Sequence, residues 1–354
     1  MKLSDDEILQ ADSDKLAESD IIPWESLKNQ SVLVTGATGL IGFQLVMAML
    51  NANHKKNLNM TVYAAVRNRD KAQNLFRYAD KSALEFVVQD IQKPFDIDCD
   101  IDYIIHGASM TSSKDFVDYP VETIKTAIDG TENVLKLAKS KNIKGMVYLS
   151  SLEIYGVMDF SIDKVTENMS GTIDPMSVRS SYSEGKRMVE CLCASYASEY
   201  NIPVKVARLC QTFGPGVSYS DNRVFAQFAR AIIEGKDIVL KTDGSTERNY
   251  CYVSDAVSGI LTILLKGKSG QAYNVANKNT LITIRGMAEM LIEKYPESGT
   301  KLVFDIAEDV TKLGYNPKVK INLATDKLEA LGWSAKTDLP EMFDHLIKSM
   351  NLTK

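Results

Sequence analysis

The chain of 354 residues is long enough for one large domain or two joined domains, and its 45% hydrophobic and 25% charged residues are typical of a soluble globular protein. Its net charge of −5, from 41 basic and 46 acidic residues, argues against a nucleic-acid partner. No apolar run reaches the roughly 18 residues that a membrane helix needs, and the acidic start "MKLSDDEILQADSDKLAESD" lacks an apolar signal core. We therefore expect a cytoplasmic protein without membrane or nucleic-acid contacts.

The cysteines and histidines indicate neither a disulfide framework nor a metal site. No CxxC pair occurs, so buried free thiols are expected, and no two histidines have the spacing of metal ligands. The residues concerned are Cys99, Cys191, Cys193, Cys210 and Cys251, with His54, His106 and His345.

Strand-like and helix-like stretches alternate through the first two thirds of the chain. Residues 1–27 are predicted to form a polar, helical N-terminal extension. The strand-like stretches that follow are "SVLVTG", "TVYAAVRN", "FVVQDI", "YIIHGAS", "MVYLSS" and "VKVARL", and helix-patterned segments such as "FQLVMAMLNA" separate them. Nearly continuous apolar strands that alternate with helices predict a parallel sheet covered on both faces. We expect an α/β fold, a Rossmann-type doubly wound parallel sheet over residues 28–210.

The pattern changes after about residue 210. Glycine and proline cluster in "TFGPGVSYSDNR", and helix-patterned segments such as "RVFAQFARAIIEG" and "DLPEMFDHLIKSM" dominate beyond it. This predicts a smaller, mainly helical C-terminal substrate-binding lobe over residues 211–354. The stretch "AYNVA", near 272–276, is expected to return to the sheet as a strand.

A glycine-rich loop in "SVLVTGATGLIGFQLVMAML" joins the first strand to a helix. Gly36 permits a tight turn, Gly39 lets the backbone approach a pyrophosphate, and Gly42 allows the helix to pack closely on the strand. The helix N-terminus offers free N–H groups to phosphates. Strand, glycine triplet and helix together predict a dinucleotide site, against an unliganded turn.

The end of the second strand, in "TVYAAVRNRDK", bears on the choice of dinucleotide. An acid often stands there to bind the adenosine ribose, whereas this chain has Arg67, with Arg69 close by. An arginine suits a 2′-phosphate, so NADP is favoured over NAD; the alternative is a pair of solvated arginines. Asp90 and Ile91, after the third strand, are expected to hold the adenine.

The stretch "SSYSEGKRMVE" puts Tyr182 and Lys186 four residues apart, on the same face of a predicted helix. An exposed face without function is one interpretation. The other is acid–base chemistry, because a phenol that titrates near ~10 becomes a usable base when an ammonium group lowers its pKa.

Eight motifs in order along the chain decide between these interpretations. They are TGxxGxxG at 35–42, "HGAS" at 106–109, "GTENVL" at 130–135, "YLSSLEIYG" at 148–156, "YSEGK" at 182–186, "RLCQTFGP" at 208–215, "TERNYCYVSD" at 246–255 and "LGW" at 331–333. In this order the chain, from about residue 29 to about 335, resembles the extended short-chain dehydrogenase/reductases that modify nucleotide sugars, the NAD-dependent epimerase/dehydratase family.

The resemblance implies a nucleotide-sugar substrate, a bound NAD or NADP, and a role for each matching residue. Tyr182 would be the base and acid at a sugar hydroxyl, Lys186 would bind the nicotinamide ribose and lower the tyrosine pKa, and Ser151 would hydrogen-bond the same hydroxyl. The implied catalytic residues are Ser151, Glu153, Tyr182 and Lys186; the substrate-binding residues are Ser151, Gln211, Arg223 and Arg248; and the cofactor-binding residues are Gly36, Thr38, Gly39, Leu40, Ile41, Gly42, Arg67, Asp90, Ile91, Gly107, Ala108, Ser109, Tyr182 and Lys186.

Two positions depart from the family pattern. Gln211 and Ala127 stand where the family usually has asparagine. The longer amide of Gln211 could still reach a phosphate, whereas Ala127 removes a polar contact from its helix. Arg223 and Arg248 have an alternative role as surface ion pairs.

The loop "SSLEIYG" bears on the reaction. Dehydratases that resemble this chain carry two acids after the serine or threonine, and here Leu152 replaces the first. Glu153 remains, and decarboxylation of a nucleotide-linked uronic acid needs no acid for a leaving hydroxyl. "RSSYSEGKR" and "SDNRV" are also close to the corresponding stretches of UDP-glucuronate decarboxylases. Decarboxylation is therefore favoured, with 4-epimerisation, then dehydration or reduction, as alternatives, and a non-catalytic dinucleotide sensor as a remote one. Glu153 could also be a structural loop carboxylate.

The resemblance also implies a homodimer. Helix-patterned segments 120–142 and 182–200 would form a four-helix interface with their copies. The apolar residues expected there are Val134, Leu135, Leu137, Ala138, Val189 and Leu192, unless these face only their own sheet.

Overall fold

The computed structural model describes residues 2–306, 318–352 and 354. Its strands are β1 (Ser31–Thr35), β2 (Thr61–Val66), β3 (Leu84–Val88), β4 (Tyr103–His106), β5 (Gly145–Ser151), β6 (Val204–Leu209), β7 (Gln211–Phe213), β8 (Ile238–Leu240), β9 (Glu247–Arg248), β10 (Tyr250–Tyr252), β11 (Ala272–Val275), β12 (Ile282–Thr283), β13 (Leu302–Phe304) and β14 (Lys320–Ile321). Its α-helices are α1 (Glu7–Glu18), α2 (Leu40–Lys56), α3 (Arg69–Leu75), α4 (Asp115–Asp118), α5 (Pro120–Ser140), α6 (Ser180–Tyr200), α7 (Val224–Glu234), α8 (Val253–Lys266), α9 (Ile284–Lys294), α10 (Asp326–Glu329) and α11 (Leu339–Asn351).

Seven of the strands form one parallel sheet, in the order β11-β6-β5-β4-β1-β2-β3. All five residues of β1 are buried, as expected for a strand covered on both faces. The predicted Rossmann-type α/β fold is confirmed, and the stretch "AYNVA" supplies β11, which pairs with β6. After β3 the chain crosses to the other side of β1 and continues as β4. The turns that follow β1 and β4 therefore meet at the point where the strand order reverses, the usual ligand crevice of such sheets.

A second, smaller core lies beyond the sheet, between α7, α9 and α11. The ring of Phe213 stacks on Phe225 with 4.6 Å between ring centroids, and Phe343 lies 4.9 Å away. Phe213 ends β7, which pairs with β10, so the two short strands connect this lobe to the carboxyl edge of the main sheet. The predicted divisions of the chain at residues 27 and 210 stay predictions.

The N-terminal residues pack on the sheet domain. Leu16 of α1 is buried, the Ser13 hydroxyl donates to the Met47 carbonyl of α2 over 3.3 Å, and the Trp24 indole N–H donates to the Leu16 carbonyl over 3.1 Å. The segment is helical as expected, and one of its faces belongs to the main core. Within the described residues, no helix has both the length and the apolarity to span a bilayer.

Candidate active site

The glycine loop forms a tight turn that leaves no room for side chains. Gly36 has φ +73°, and a Cβ there would lie 2.8 Å from the Ala108 backbone nitrogen. A Cβ at Gly42 would lie 2.2 Å from the Gly36 carbonyl oxygen. Gly39 is the N-cap of α2, and no side chain in the described ranges caps this helix end. The first N–H groups of α2 are thus open to an anion, so the residues present fit the pyrophosphate of a dinucleotide.

The other residues predicted for the dinucleotide lie around the same crevice. Thr38, Leu40 and Ile41 belong to the glycine turn and the first turn of α2, and Gly107, Ala108 and Ser109 follow β4 directly. Arg67 is exposed immediately after β2, and Asp90 is exposed beyond β3. Ile91 is buried against α5, where the Asn133 amide donates to its carbonyl over 2.9 Å.

Tyr182 and Lys186 lie one turn apart in α6, beside the carboxyl end of β5. The Lys186 ammonium is buried, donates to the Leu149 carbonyl over 2.8 Å, and lies 4.6 Å from the centroid of the Tyr148 ring. It is 5.7 Å from the centroid of the Tyr182 ring. The Tyr182 ring stacks on Phe116, with centroids 4.2 Å apart and ring planes 12° apart. The phenol and the ammonium are thus close neighbours on one side of α6, as their spacing predicts.

Burial dominates the electrostatics of this pair. It lowers the pKa of Lys186 to about 8, although the Glu190 charge opposes the effect. Burial also raises the pKa of Tyr182 well above its usual range, and the Glu153 charge raises it further. A hydrogen bond with Ser151 and the charges of Arg179 and Arg223 lower the Tyr182 pKa. The net direction is opposite to the lowering by Lys186 that the sequence suggested, because removal of the phenol from water outweighs the nearby charges.

Glu153 lies two residues after Ser151 and is held on several sides. Its backbone N–H donates to the Ser151 hydroxyl over 3.2 Å. Its carboxylate accepts from the Arg179 guanidinium at 3.0 and 3.1 Å and from the Ser183 hydroxyl at 3.2 Å. The side chains of Glu153 and Arg179 are only 11% and 13% exposed. Leu152, between Ser151 and Glu153, is buried in the core.

Three residues predicted for the substrate follow β6 in the chain, in or beside β7, α7 and β9. Gln211 is partly buried in β7. Arg223 forms a bidentate ion pair with Asp221, with its closest N–O distance at 2.6 Å, and its charge still influences Tyr182. The buried Nε of Arg248 has no hydrogen-bond partner within the described part of the chain. An orphaned guanidinium nitrogen is costly to bury, so Arg248 fits an anionic ligand.

The departure at Ala127 has a packing counterpart. Ala127 is buried in α5 where it faces Gly185 of α6, and a Cβ at Gly185 would lie 3.6 Å from the Ala127 Cβ. Two small residues allow the helices to approach closely beside Lys186. An asparagine at residue 127 would bring more volume into this contact.

Sequence reasoning missed Phe116, Arg179 and Ser183. Arg179 precedes Tyr182 by three residues, a spacing that places both on one face of α6, so a helical projection could have found it. Phe116 lies in the short helix α4 and has no comparable signal in the sequence.

The cysteines and candidate metal ligands add no further chemistry to the site. Cys193, Cys210 and Cys251 are buried free thiols, as expected, whereas Cys99 is partly exposed and Cys191 exposed. In residues 2–306, 318–352 and 354, no three histidine, cysteine or acidic side chains cluster as a metal site would require.

Fold and crevice define a Rossmann-type α/β protein with a dinucleotide turn. The family model for the NAD dependent epimerase/dehydratase family matches residues 32–276. The chain is 31% identical over 304 residues to UDP-glucuronic acid decarboxylase 6 of Arabidopsis thaliana, covering 83% of this chain and 86% of that protein. The chain therefore belongs to the NAD dependent epimerase/dehydratase family, as its motifs predicted.

Solved structures support the fold. UDP-glucuronic acid 4-epimerase from Bacillus cereus, in complex with NAD, has a TM-score of 0.72 and 23% identity, with 92% of this chain and 100% of that chain covered. A dTDP-glucose 4,6-dehydratase from Streptomyces venezuelae has a TM-score of 0.74 and 21% identity, with 91% and 97% covered.

Proposed function

We propose that this protein decarboxylates a nucleotide-linked uronic acid through a 4-keto intermediate. The observation that carries the proposal is the grouping of Ser151, Tyr182 and Lys186 with a carboxylate, Glu153, next to the phenol. Several similar proteins are named UDP-glucuronic acid decarboxylase, which is consistent with this proposal.

The first step is oxidation of the sugar. Tyr182 takes the proton of the 4-hydroxyl, which Ser151 orients by a hydrogen bond, while Lys186 holds the ribose side of the pocket. The dinucleotide, when bound in the glycine turn, supplies the chemistry of accepting a hydride from the carbinol carbon and later returning it. Arg248, whose buried Nε has no hydrogen-bond partner among the described residues, binds an anionic group of the substrate. Arg223 and Gln211 are assigned to its phosphates by the family resemblance.

The oxidised sugar is a β-keto acid. The bond between C-5 and the carboxyl carbon breaks, carbon dioxide leaves, and the bonding electrons pass into the enolate of the 4-ketone. The enolate takes up one proton at C-5, which comes from solvent, and we assign the relay of this proton to the Glu153 carboxylate. In the last step Tyr182 gives its proton back to the C-4 oxygen.

Two observations favour decarboxylation over dehydration and 4-epimerisation. Leu152 occupies the position that resembling dehydratases use for an acid, and its side chain is buried. A 4-epimerase needs no carboxylate at residue 153, yet this chain keeps one in a nearly buried ion pair. The second candidate is an epimerase in which this ion pair has a structural role and Glu153 exchanges no proton.

The experiment is incubation with a panel of nucleotide sugars, followed by mass and by absorbance of the reduced dinucleotide. Loss of the mass of carbon dioxide from a nucleotide uronic acid is expected. Loss of water or an unchanged mass with a new isomer would replace the proposal by dehydration or epimerisation. Absence of dinucleotide reduction with every sugar would favour the remote alternative of a sensor.

Glu153→Gln separates the two leading candidates. In a decarboxylase this variant should still oxidise the sugar but form product ~10²-fold more slowly or worse, the usual scale for a proton-transfer group. Reduced dinucleotide should then accumulate transiently. Turnover at the wild-type rate would make the carboxylate structural and put the epimerase first.

We propose NADP as the preferred dinucleotide, on the strength of the exposed Arg67 at the end of β2. Arg67→Ala should weaken NADP binding and spare NAD, measured by titration of each. Equal weakening of both, or of neither, would assign the arginine no part in the choice.

We further propose a cytoplasmic homodimer, with a revised set of interface residues. Val134, Leu135, Leu137, Ala138 and Val189 are buried within their own protomer and Leu192 is partly buried, so most of the residues first expected cannot face a partner.

The outer face of α5 and α6 instead exposes Val121, Ile124 and Met188 to 61%, 39% and 56%. Light scattering at micromolar concentration should give twice the chain mass. Met188→Glu should lower that mass towards the monomer, and a wild-type monomer would remove the proposal.

A further inference from the structure

Arg179, at the N-cap of α6, contacts two parts of the site, the Glu153 carboxylate and the Phe116 ring. Its guanidinium bridges both carboxylate oxygens of Glu153 at 3.0 and 3.1 Å. Its guanidinium carbon also lies 4.7 Å from the centroid of the Phe116 ring. Phe116 is buried and stacks on Tyr182. One side chain therefore contacts both the carboxylate and the aromatic ring that flank the catalytic phenol.

Charged groups face Tyr182 from three elements. Glu153 approaches from the turn after β5, and Arg223 from the N-terminus of α7. Arg179 is the N-cap residue of α6, and Lys186 lies within that helix. Glu153 is the one negative charge among these four groups. It lies beside the Tyr182 phenol, which has to give up and regain a proton.

We propose that Arg179 is a positioning residue for the oxidation step: it fixes the Glu153 carboxylate and offsets its charge, so that this carboxylate can lie beside Tyr182 while the phenol acts as base. The inference rests on the proposed function only in taking a Tyr182-dependent oxidation as the first step.

The physical reason is the repulsion between two negative charges in a buried place. A phenolate forms next to an uncompensated carboxylate only at a higher pH, because like charges oppose ionisation. The Glu153 charge raises the pKa of Tyr182, and the Arg179 charge lowers it, so the pair acts on the phenol with opposing signs. The short, nearly buried contact also keeps the carboxylate from moving away from the sugar.

The test follows the pH dependence of the oxidation step alone, as the rate of dinucleotide reduction by the accepted nucleotide sugar. Arg179→Met should move the midpoint of this profile upward by ~1 pH unit, which is about tenfold in rate below the midpoint. Glu153→Gln should move it downward. Arg179→Met/Glu153→Gln should return close to the wild-type midpoint, because both opposing charges are gone. Arg179→Lys, which keeps the charge, should shift it less than Arg179→Met.

Arg285→Met is the matched control. Arg285 forms an ion pair with Glu289 within α9, and both side chains are more than half exposed. Its removal should leave the midpoint unchanged. Dinucleotide titration on every variant checks the fold. If Arg179→Met does not fold, the midpoints of the pH profiles of Arg179→Lys and Glu153→Gln test the proposal instead. An unshifted midpoint in Glu153→Gln overturns the proposal.

The failure of this inference differs from the failure of the proposed function. An equal loss of rate at every pH in Arg179→Met, with no recovery in the double variant, would make the arginine merely structural. That result leaves the decarboxylation in place. Conversely, a wild type that oxidises the sugar without losing carbon dioxide refutes the decarboxylation, whereas the midpoint shifts still report on Arg179.

Discussion

Replacement of Lys186 by methionine should stabilise the protein at neutral pH while it abolishes turnover. Lys186 is 3% exposed, and its ammonium group donates a hydrogen bond to the Leu149 carbonyl. Among the described residues it forms no ion pair with a carboxylate. Burial brings its pKa from the ordinary 10.5 to about 8. A buried ammonium that costs this much, at the position expected for catalysis, is typical of a functional site rather than of a core optimised for stability.

The magnitude follows from linkage. Because the folded-state pKa lies below the unfolded one, the unfolded chain holds the extra proton between about pH 8 and pH 10.5, and stability rises with pH across that window. Below pH 8 the buried charge lowers the free energy of unfolding by its full amount. The difference between the two pKa values, at 1.36 kcal/mol per pH unit, makes this amount about 3 kcal/mol. Lys186→Met has no charge to bury, so its free energy of unfolding should exceed that of the wild type at pH 7. This difference should shrink by roughly 2–3 kcal/mol from pH 7 to pH 10.

Urea unfolding of both proteins at neutral and alkaline pH measures this difference. Lys136→Met, which removes an exposed lysine paired with Glu132, is the control and should show little difference at either pH. The same Lys186→Met protein should fail to reduce its dinucleotide with a nucleotide sugar. A Lys186→Met protein whose stability relative to the wild type is the same at both pH values would refute the reasoning, because the buried ammonium would then carry no penalty.

Three further predictions concern the turn, the phenol and the N-terminal helix. Gly42→Ala should lose dinucleotide binding in a titration, because its Cβ would lie 2.2 Å from the Gly36 carbonyl oxygen and force the turn open. Tyr182→Phe should keep the stack on Phe116 but lose ~10²–10⁴ in oxidation rate, with dinucleotide binding retained. Asp12 is buried and its pKa is raised to about 6, so the wild type should lose stability as pH rises from about 4 to 6; unfolding of Asp12→Asn should lack this loss.

The strands of the main sheet could be predicted because each is a short apolar run flanked by turn residues. β1, β2 and β6 begin and end within two residues of the stretches chosen for them. The N-terminal helix was predicted to be polar, yet its buried residues Leu9 and Leu16 lie seven apart, on one face. Because this face contains few apolar residues, the polar composition of the segment does not reveal that it packs on the core.

The helices α5 and α6 mark a limit of pattern reasoning. A helix has one principal apolar stripe, and in both helices this stripe lies on the protomer's own core, with Val134 and Val189 fully buried. The residues left for a partner, Val121, Ile124 and Met188, are too few to form a second apolar stripe on either helix. Sequence periodicity therefore identifies the buried stripe and not the surface that a second copy would cover.

Residue spacing predicts that Tyr182 and Lys186 are neighbours, but it does not predict the directions of their pKa shifts. A spacing of four residues correctly puts Tyr182 and Lys186 on one face, and it suggests only the attraction of an ammonium for a phenolate. Burial acts on both groups at once and favours the neutral form of each, so it raises one pKa and lowers the other. The positive charges that lower the Tyr182 pKa are those of Arg179 and Arg223, from the start of α6 and the start of α7. Neither can be identified from the YxxxK spacing, because one acts through an ion pair with Glu153 and the other approaches from the second lobe.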